Sequence, residues 1–269
     1  MGRHRSMHRI SVASDAPVLV LAIPGAGNDH DSELADQIAE AATESCPGVE
    51  IRIGFIASET DSLRDALATE PTSTAQSKDG IAAPQSVIVP LLAGSHPTID
   101  QQLEAVVGRL RATTMLAPHL GPHPLLAGAL HDRLSEVGLA RAGRARGLNI
   151  SAGANGVLVV ADRGPQAVSD AGVTAVLLAA RLAVPVLPAS LGDSASITAA
   201  LDRLREAGAT HPAIAPCLIG PETDPSELTQ LSSAIDAPCA APLGAHPAIA
   251  QLVAIRYGEA LARISVASR

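Results

Sequence analysis

Residues 18–23 read Val-Leu-Val-Leu-Ala-Ile, and residues 157–161 read Val-Leu-Val-Val-Ala. A wholly apolar run of this length has no polar face to turn to water. Each run therefore predicts a strand covered on both sides, as in a parallel sheet flanked by helices. After the first run, helices are predicted at residues 31–45, 61–68, 98–111 and 124–137, and strands at 49–55, 86–92 and 113–116. The first of these helices opens on acidic residues and stops at Pro47-Gly48, as the helix dipole and the helix-breaking pair require. After the second run, helices at 169–182, 194–206, 225–235 and 248–263 alternate with strands at 184–188 and 213–218. Strands alternating with helices of this length are βαβ units with right-handed crossovers.

The alternation is also a repeat. LGPHPLLAGAL from Leu120 matches LGAHPAIAQLV from Leu243, and VIVPLLAG from Val87 matches AIAPCLIG from Ala213. These offsets are 123 and 126 residues, whereas the two apolar runs start 139 residues apart. A polar insertion rich in Ser, Thr, Pro and Gly, roughly residues 70–85, accounts for most of the difference and predicts a surface loop. The expected architecture is α/β: two tandem flavodoxin-like lobes, each a four-stranded parallel sheet flanked by helices. The expected division is a flexible N-terminus at 1–16, a first lobe at 17–137, a linker at 138–156 and a second lobe at 157–265. Arg141, Arg144 and Arg146 fall in the linker, where a solvated charge run is the simplest reading.

Composition excludes several functions. The chain of 269 residues carries 19 Lys+Arg against 27 Asp+Glu, a net charge of −8. It has two aromatic residues, Phe55 and Tyr257. Neither fits a partner that offers phosphates for cations and bases for stacking, so no nucleic acid is expected. Cys46, Cys217 and Cys239 are odd in number and widely spaced, which argues against a disulfide framework and for a reducing, cytoplasmic setting. The stretch 173–191 is apolar but is broken by Arg181, Pro185 and Pro188, so no membrane span is expected. The basic residues before Val18 precede too short an apolar run, ended by Pro24, for a secretory leader.

Ligands of open parallel sheets bind beyond the carboxyl ends of the strands. Of nine histidines, His30, His96, His119, His123 and His246 fall in the loops expected there. His96, in Leu-Leu-Ala-Gly-Ser-His-Pro, directly follows the third strand. It is either an ordinary polar loop residue or an imidazole placed to bind a metal or accept a proton. His123 and His246 each precede a proline that opens a helix, and they read as matching helix starts. The turn Gly25-Ala26-Gly27-Asn28 could cradle an anion, but it lacks a full dinucleotide or phosphate-loop motif.

The stretches VPLLAGSHPTIDQQL from Val89, LGPHPLLAGALHDRL from Leu120 and APLGAHPAIAQLVAIRYGEAL from Ala241 resemble the two-lobed, class II sirohydrochlorin chelatases of siroheme and cobalamin biosynthesis. The resemblance runs from about Pro17 to Leu261 and includes both strand–glycine starts. It implies insertion of Fe²⁺ or Co²⁺ into sirohydrochlorin, with no cofactor beyond that divalent metal substrate. It also implies a metal-handling histidine after strand three, which His96 matches, and another after strand one, which this chain lacks. Pro24 or Ala26 occupies that position, depending on alignment, and neither can bind a metal. His30 is the nearest substitute as a second metal ligand. For the substrate carboxylates, Arg163 is the leading cation, with Arg52 and His119 as further candidates. Two functions stay open: a chelatase using His96, or a catalytically weak or inactive paralogue that binds a tetrapyrrole or metal without inserting it. A binder of the periplasmic kind with two similar lobes would need an export signal that the residues before Val18 do not supply.

Overall fold

The apolar run at the start of the chain forms β1 (Val18–Ile23), and all six of its residues are buried. That burial follows from its place inside a parallel sheet of order β2-β1-β3-β4, with β2 at Ile51–Phe55, β3 at Ser86–Pro90 and β4 at Thr114–Leu116. The computed structural model describes residues 16–57, 63–68, 84–110, 113–140 and 153–267. The residues before Ala16, most of the polar insertion and Arg141, Arg144 and Arg146 of the linker lie outside this set. The intervening helices are α1 (Asp29–Ser45), α2 (Leu63–Ala68), α3 (Pro97–Leu110) and α4 (Pro124–Glu136).

The second half repeats the plan around β5 (Gly156–Ala161), again buried at all six positions. Its order is β6-β5-β7, with β6 at Val186–Ser190 and β7 at Pro212–Pro216, all parallel. Helices α5 (Pro165–Leu182), α6 (Ser194–Glu206), α7 (Pro225–Ile235) and α8 (Pro247–Ala267) complete it. This sheet has three strands rather than the expected four. The segment that would supply the fourth makes one isolated bridge, Ile214 with Cys239. Ile214 N–H donates to the Pro238 carbonyl and Ala240 N–H to the Ile214 carbonyl, but the amides that would extend this ladder belong to Pro212, Pro216, Pro238 and Pro242, which have none.

The repeat in the sequence and the compact units of the structure are cut at different places. One unit lies within Met1–Leu91, Gln101–Pro118 and Ile249–Arg269, and holds the four-stranded sheet. In it the fully buried Tyr257 of α8 donates its hydroxyl to the Pro17 carbonyl beside β1. The other unit lies within Leu92–Asp100 and His119–Ala248 and holds the three-stranded sheet. Its core includes Leu158, Val160, Leu201, Leu204, Ile214 and Leu231. The loop carrying His96 thus belongs to the same compact unit as β5 and β7.

Each sheet places its first strand between the two strands that follow, so the direction of winding reverses beside it. In such sheets the crevice at that reversal is where ligands bind. In the second unit the reversal lies between β5 and β7, and its carboxyl-end loops start at Asp162 and Cys217.

A close approach tests the packing of the first unit. A Cβ added at Gly54 on β2 would stand 2.7 Å from the Leu63 Cα, a backbone atom that cannot rotate away. Gly54→Ala is expected to cost about 1–3 kcal/mol, the usual penalty of overpacking. Urea denaturation followed by circular dichroism checks this, and an unchanged midpoint would show that α2 yields without cost.

Candidate functional site

Beyond β5 and β7 lies a small, shallow recess, open to solvent. Its polar lining comes from Ser95, His96, Asp162, Cys217 and Glu222. Being small and open, the recess has room for an ion or the edge of a ligand and does not enclose a macrocycle.

The loop after β3 is pinned by its neighbours. Ser95 donates to Asp170 Oδ2 of α5 twice, from its amide at 3.0 Å and from its hydroxyl at 2.7 Å. Gln166 Nε2 donates to the other oxygen of Asp170 at 3.0 Å. Burial would raise the Asp170 carboxyl, but these hydrogen bonds outweigh it and hold the group below its ordinary range. A Cβ on Gly94 would come within 3.2 Å of the Asp170 Cβ, so a small residue here lets the loop lie close against α5.

His96 is held at both ring nitrogens. Nδ1 accepts the Ile99 amide at 3.4 Å in the first turn of α3, and Nε2 lies 2.8 Å from Asp162 Oδ2. In the neutral ring an accepting Nδ1 leaves the hydrogen on Nε2, facing the carboxylate. The His96 amide donates to Asp100 Oδ2, whose other oxygen lies 2.7 Å from His119 Nε2. The His96 side chain is 19% exposed, so it is reachable from solvent yet fixed in direction.

Asp162 follows β5 directly, and its side chain is 8% exposed. Although the His96 ring stands close, neither carboxylate oxygen accepts a well-angled hydrogen bond from any described group. On the far side of the recess, Glu222 folds back to accept the Ile219 and Gly220 amides. The residue keeps some exposure, but its carboxyl is turned inward, and burial pushes it up to about 7 despite those bonds. Burial also pushes the Cys217 thiol up to about 12, so it is no nucleophile at neutral pH.

Other sequence-predicted residues have different surroundings. His30 is exposed in the first turn of α1 and does not line the recess. Arg163 is 55% exposed; it donates to Glu227 and stands 3.9 Å from Asp162 Oδ1. Arg52 is tied to Glu50 and to the Ala66 carbonyl. His123 and His246 each cap a helix through Nδ1, accepting the Leu125 and Ala248 amides at 3.1 Å. The turn after β1 is likewise structural: Asn28 caps α1, and Gly27, with φ of 78°, lies against the Phe55 ring. Asp29 and Asp31 in that first turn would repel an anion.

Among the described residues, no three His, Cys, Asp or Glu side chains are grouped to hold a metal ion. Nor is any described helix long and apolar enough to cross a membrane. Asp162, Asp170 and Glu222 escaped the reading of the sequence, because isolated acids in loops carry no spacing signal. Only Asp162 had a positional hint, an acid directly behind a wholly apolar strand.

The raised Glu222 carboxyl has a thermodynamic consequence. Between its ordinary 4.5 and about 7, the folded chain keeps a proton that the unfolded chain has released. Stability contributed by the group is therefore complete at low pH, falls as pH rises through that window, and is flat above it. Urea midpoints of the wild type should decline relative to those of Glu222→Gln across this window, and a constant difference would contradict the assignment.

Residues 18–137 match the CbiX family model. Over the whole fold, the chain is similar to a solved structure of SirB from Bacillus subtilis with Fe³⁺, at 17% identity and a TM-score of 0.63. That similarity covers 93% of this chain and 98% of SirB. A structure of CbiX described as the terminal enzyme for biosynthesis of siroheme in denitrifying bacteria is also similar, at 17% identity and a TM-score of 0.57. It is matched over 99% of its length by 91% of this chain. No curated protein matches the chain by sequence. The family model thus covers a little under half of the chain, and the two solved structures share its fold.

Proposed function

We propose that this protein is a metal chelatase that inserts a divalent ion, Fe²⁺ or Co²⁺, into sirohydrochlorin, with His96 as its reactive imidazole. One observation carries this reading: His96 lines the recess beyond β5 and β7, with Nε2 2.8 Å from Asp162, a second lining residue. The family match over residues 18–137 supports the substrate class. The metal is a substrate, and no further cofactor is part of the reading. Three cysteines without a disulfide fit a reducing, cytoplasmic setting.

The chemistry asks two things of the protein. The metal must shed water while it is held, and two pyrrole N–H protons must leave the macrocycle. An imidazole fixed by hydrogen bonds can hold the ion or accept a proton without reorganising at the moment of reaction. Arg163, exposed beside the recess, suits a carboxylate of the substrate if it leaves Glu227.

A second reading is favoured by a specific observation. The turn after β1 holds no imidazole: Pro24 is buried, Ala26 is exposed, and neither bears a base. A recess lined by one imidazole could carry the pigment or the metal without joining them. The absorption of sirohydrochlorin mixed with Co²⁺ or Fe²⁺ separates the readings. A chelatase shifts the spectrum faster than buffer alone, and His96→Ala should lower the excess rate by about 10²-fold or more, the usual contribution of a general base. Ala26→His, at an exposed position that tolerates the ring, should raise the rate if a base is what the turn lacks. A wild type that binds pigment without shifting its spectrum establishes the carrier.

A further inference from the structure

A carboxylate removed from water needs a cation or several donors, because its charge is otherwise uncompensated. Asp162 has no such set of partners. Its side chain is more than nine-tenths buried, both oxygens are closed to solvent, and no hydrogen bond of good geometry reaches either. Arg163 stops 3.9 Å short of Oδ1, its guanidinium drawn off by Glu227. The close contact is the His96 ring, with Nε2 at 2.8 Å from Oδ2. Both groups line the same recess.

We propose that His96 Nε2 and the Asp162 carboxylate together bind a divalent transition-metal ion, Asp162 supplying the second protein ligand that the turn after β1 lacks. The inference rests on the chelatase reading only for the use to which the ion is put. Imidazole nitrogen and carboxylate oxygen each sit about 2.1 Å from such a metal. Two of them at about a right angle, as in octahedral coordination, are about 3 Å apart. The observed 2.8 Å, a direct contact between ring and carboxylate, is close to that spacing, so a small turn of the ring admits the ion. The ion takes the place of the hydrogen on Nε2, which leaves to solvent, and it brings a full positive charge to a carboxylate that otherwise has only the nearby ring and a guanidinium 3.9 Å away. Ile99 keeps Nδ1 occupied, so Nε2 is the nitrogen presented.

Two protein ligands make a site of a particular kind. A resident metal is held by three or four protein ligands, and the described residues offer no group of three. A pair leaves most of the coordination sphere to water, and water can be exchanged for the nitrogens of an acceptor. That is what a metal in transit requires.

Titration of the full chain with Co²⁺ alone, read by visible absorption and by the shift of the His96 ring resonances, tests the site. One ion per chain is expected, with the His96 resonances moved by the paramagnetic metal. Asp162→Asn and His96→Ala should each weaken binding at least about 10-fold, since loss even of groups behind the ligands costs that much. The double variant should lose less than the product of the two, because both remove ligands of one ion. Equal Co²⁺ affinity in the wild type and Asp162→Asn overturns the proposal, as does titration that leaves the His96 resonances in place. Should Asp162→Asn be unstable, Asp162→Glu, which keeps the charge on a longer arm, must still alter the cobalt spectrum; an unchanged spectrum is equally fatal. If metallation of sirohydrochlorin needs His96 while Co²⁺ affinity ignores Asp162, this inference fails and the chelatase stands. If Co²⁺ needs both residues while metallation ignores His96, the site stands and the chelatase reading fails.

Discussion

Asp170 accepts the amide and the hydroxyl of Ser95 on one oxygen, and this contact anchors the loop that carries His96. A charge-assisted pair of bonds into a helix fixes both the position and the direction of the residue that follows. From there the rest is geometry. The ring of His96 is turned by Ile99 on one nitrogen and meets Asp162 with the other. Asp162 is in place because β5 ends there, between β6 and β7. The chemistry of the recess thus depends on a loop from the first half of the sequence being part of the compact unit built by the second.

The turn after β1 has structural work to do. Asn28 caps α1, and Gly27 takes a positive φ over Phe55. The two similar His-Pro stretches have such work too. They contain imidazoles, but each uses Nδ1 to receive a helix amide, so the resemblance between them is one of helix starts. A histidine's partners, rather than its presence in a loop, separate structural from reactive roles.

The α/β class, both central strands and nearly every helix were legible along the chain, because burial on both faces and helical periodicity are written into local residue order. Helices α6 and α7 fall where the pattern predicted. The expected fourth strand of the second sheet is absent because Pro212, Pro216, Pro238 and Pro242 withhold the amides that would extend the Ile214–Cys239 bridge in either direction. His96 was legible as a candidate from its place after an apolar strand. Its partner was not, since an aspartate 66 residues further on has no sequence relation to it.

Local chemistry along the chain therefore settled the kinds of element, their order and the repeat, all of which depend on neighbours within a few turns. Tertiary structure alone decided that one histidine would face a buried carboxylate, that Glu222 would turn inward onto two amides, and that Arg163 would pair with Glu227. Those outcomes depend on which strand ends are brought together and on how little water remains between them. Burial of that kind belongs to the packed chain and to no segment of it.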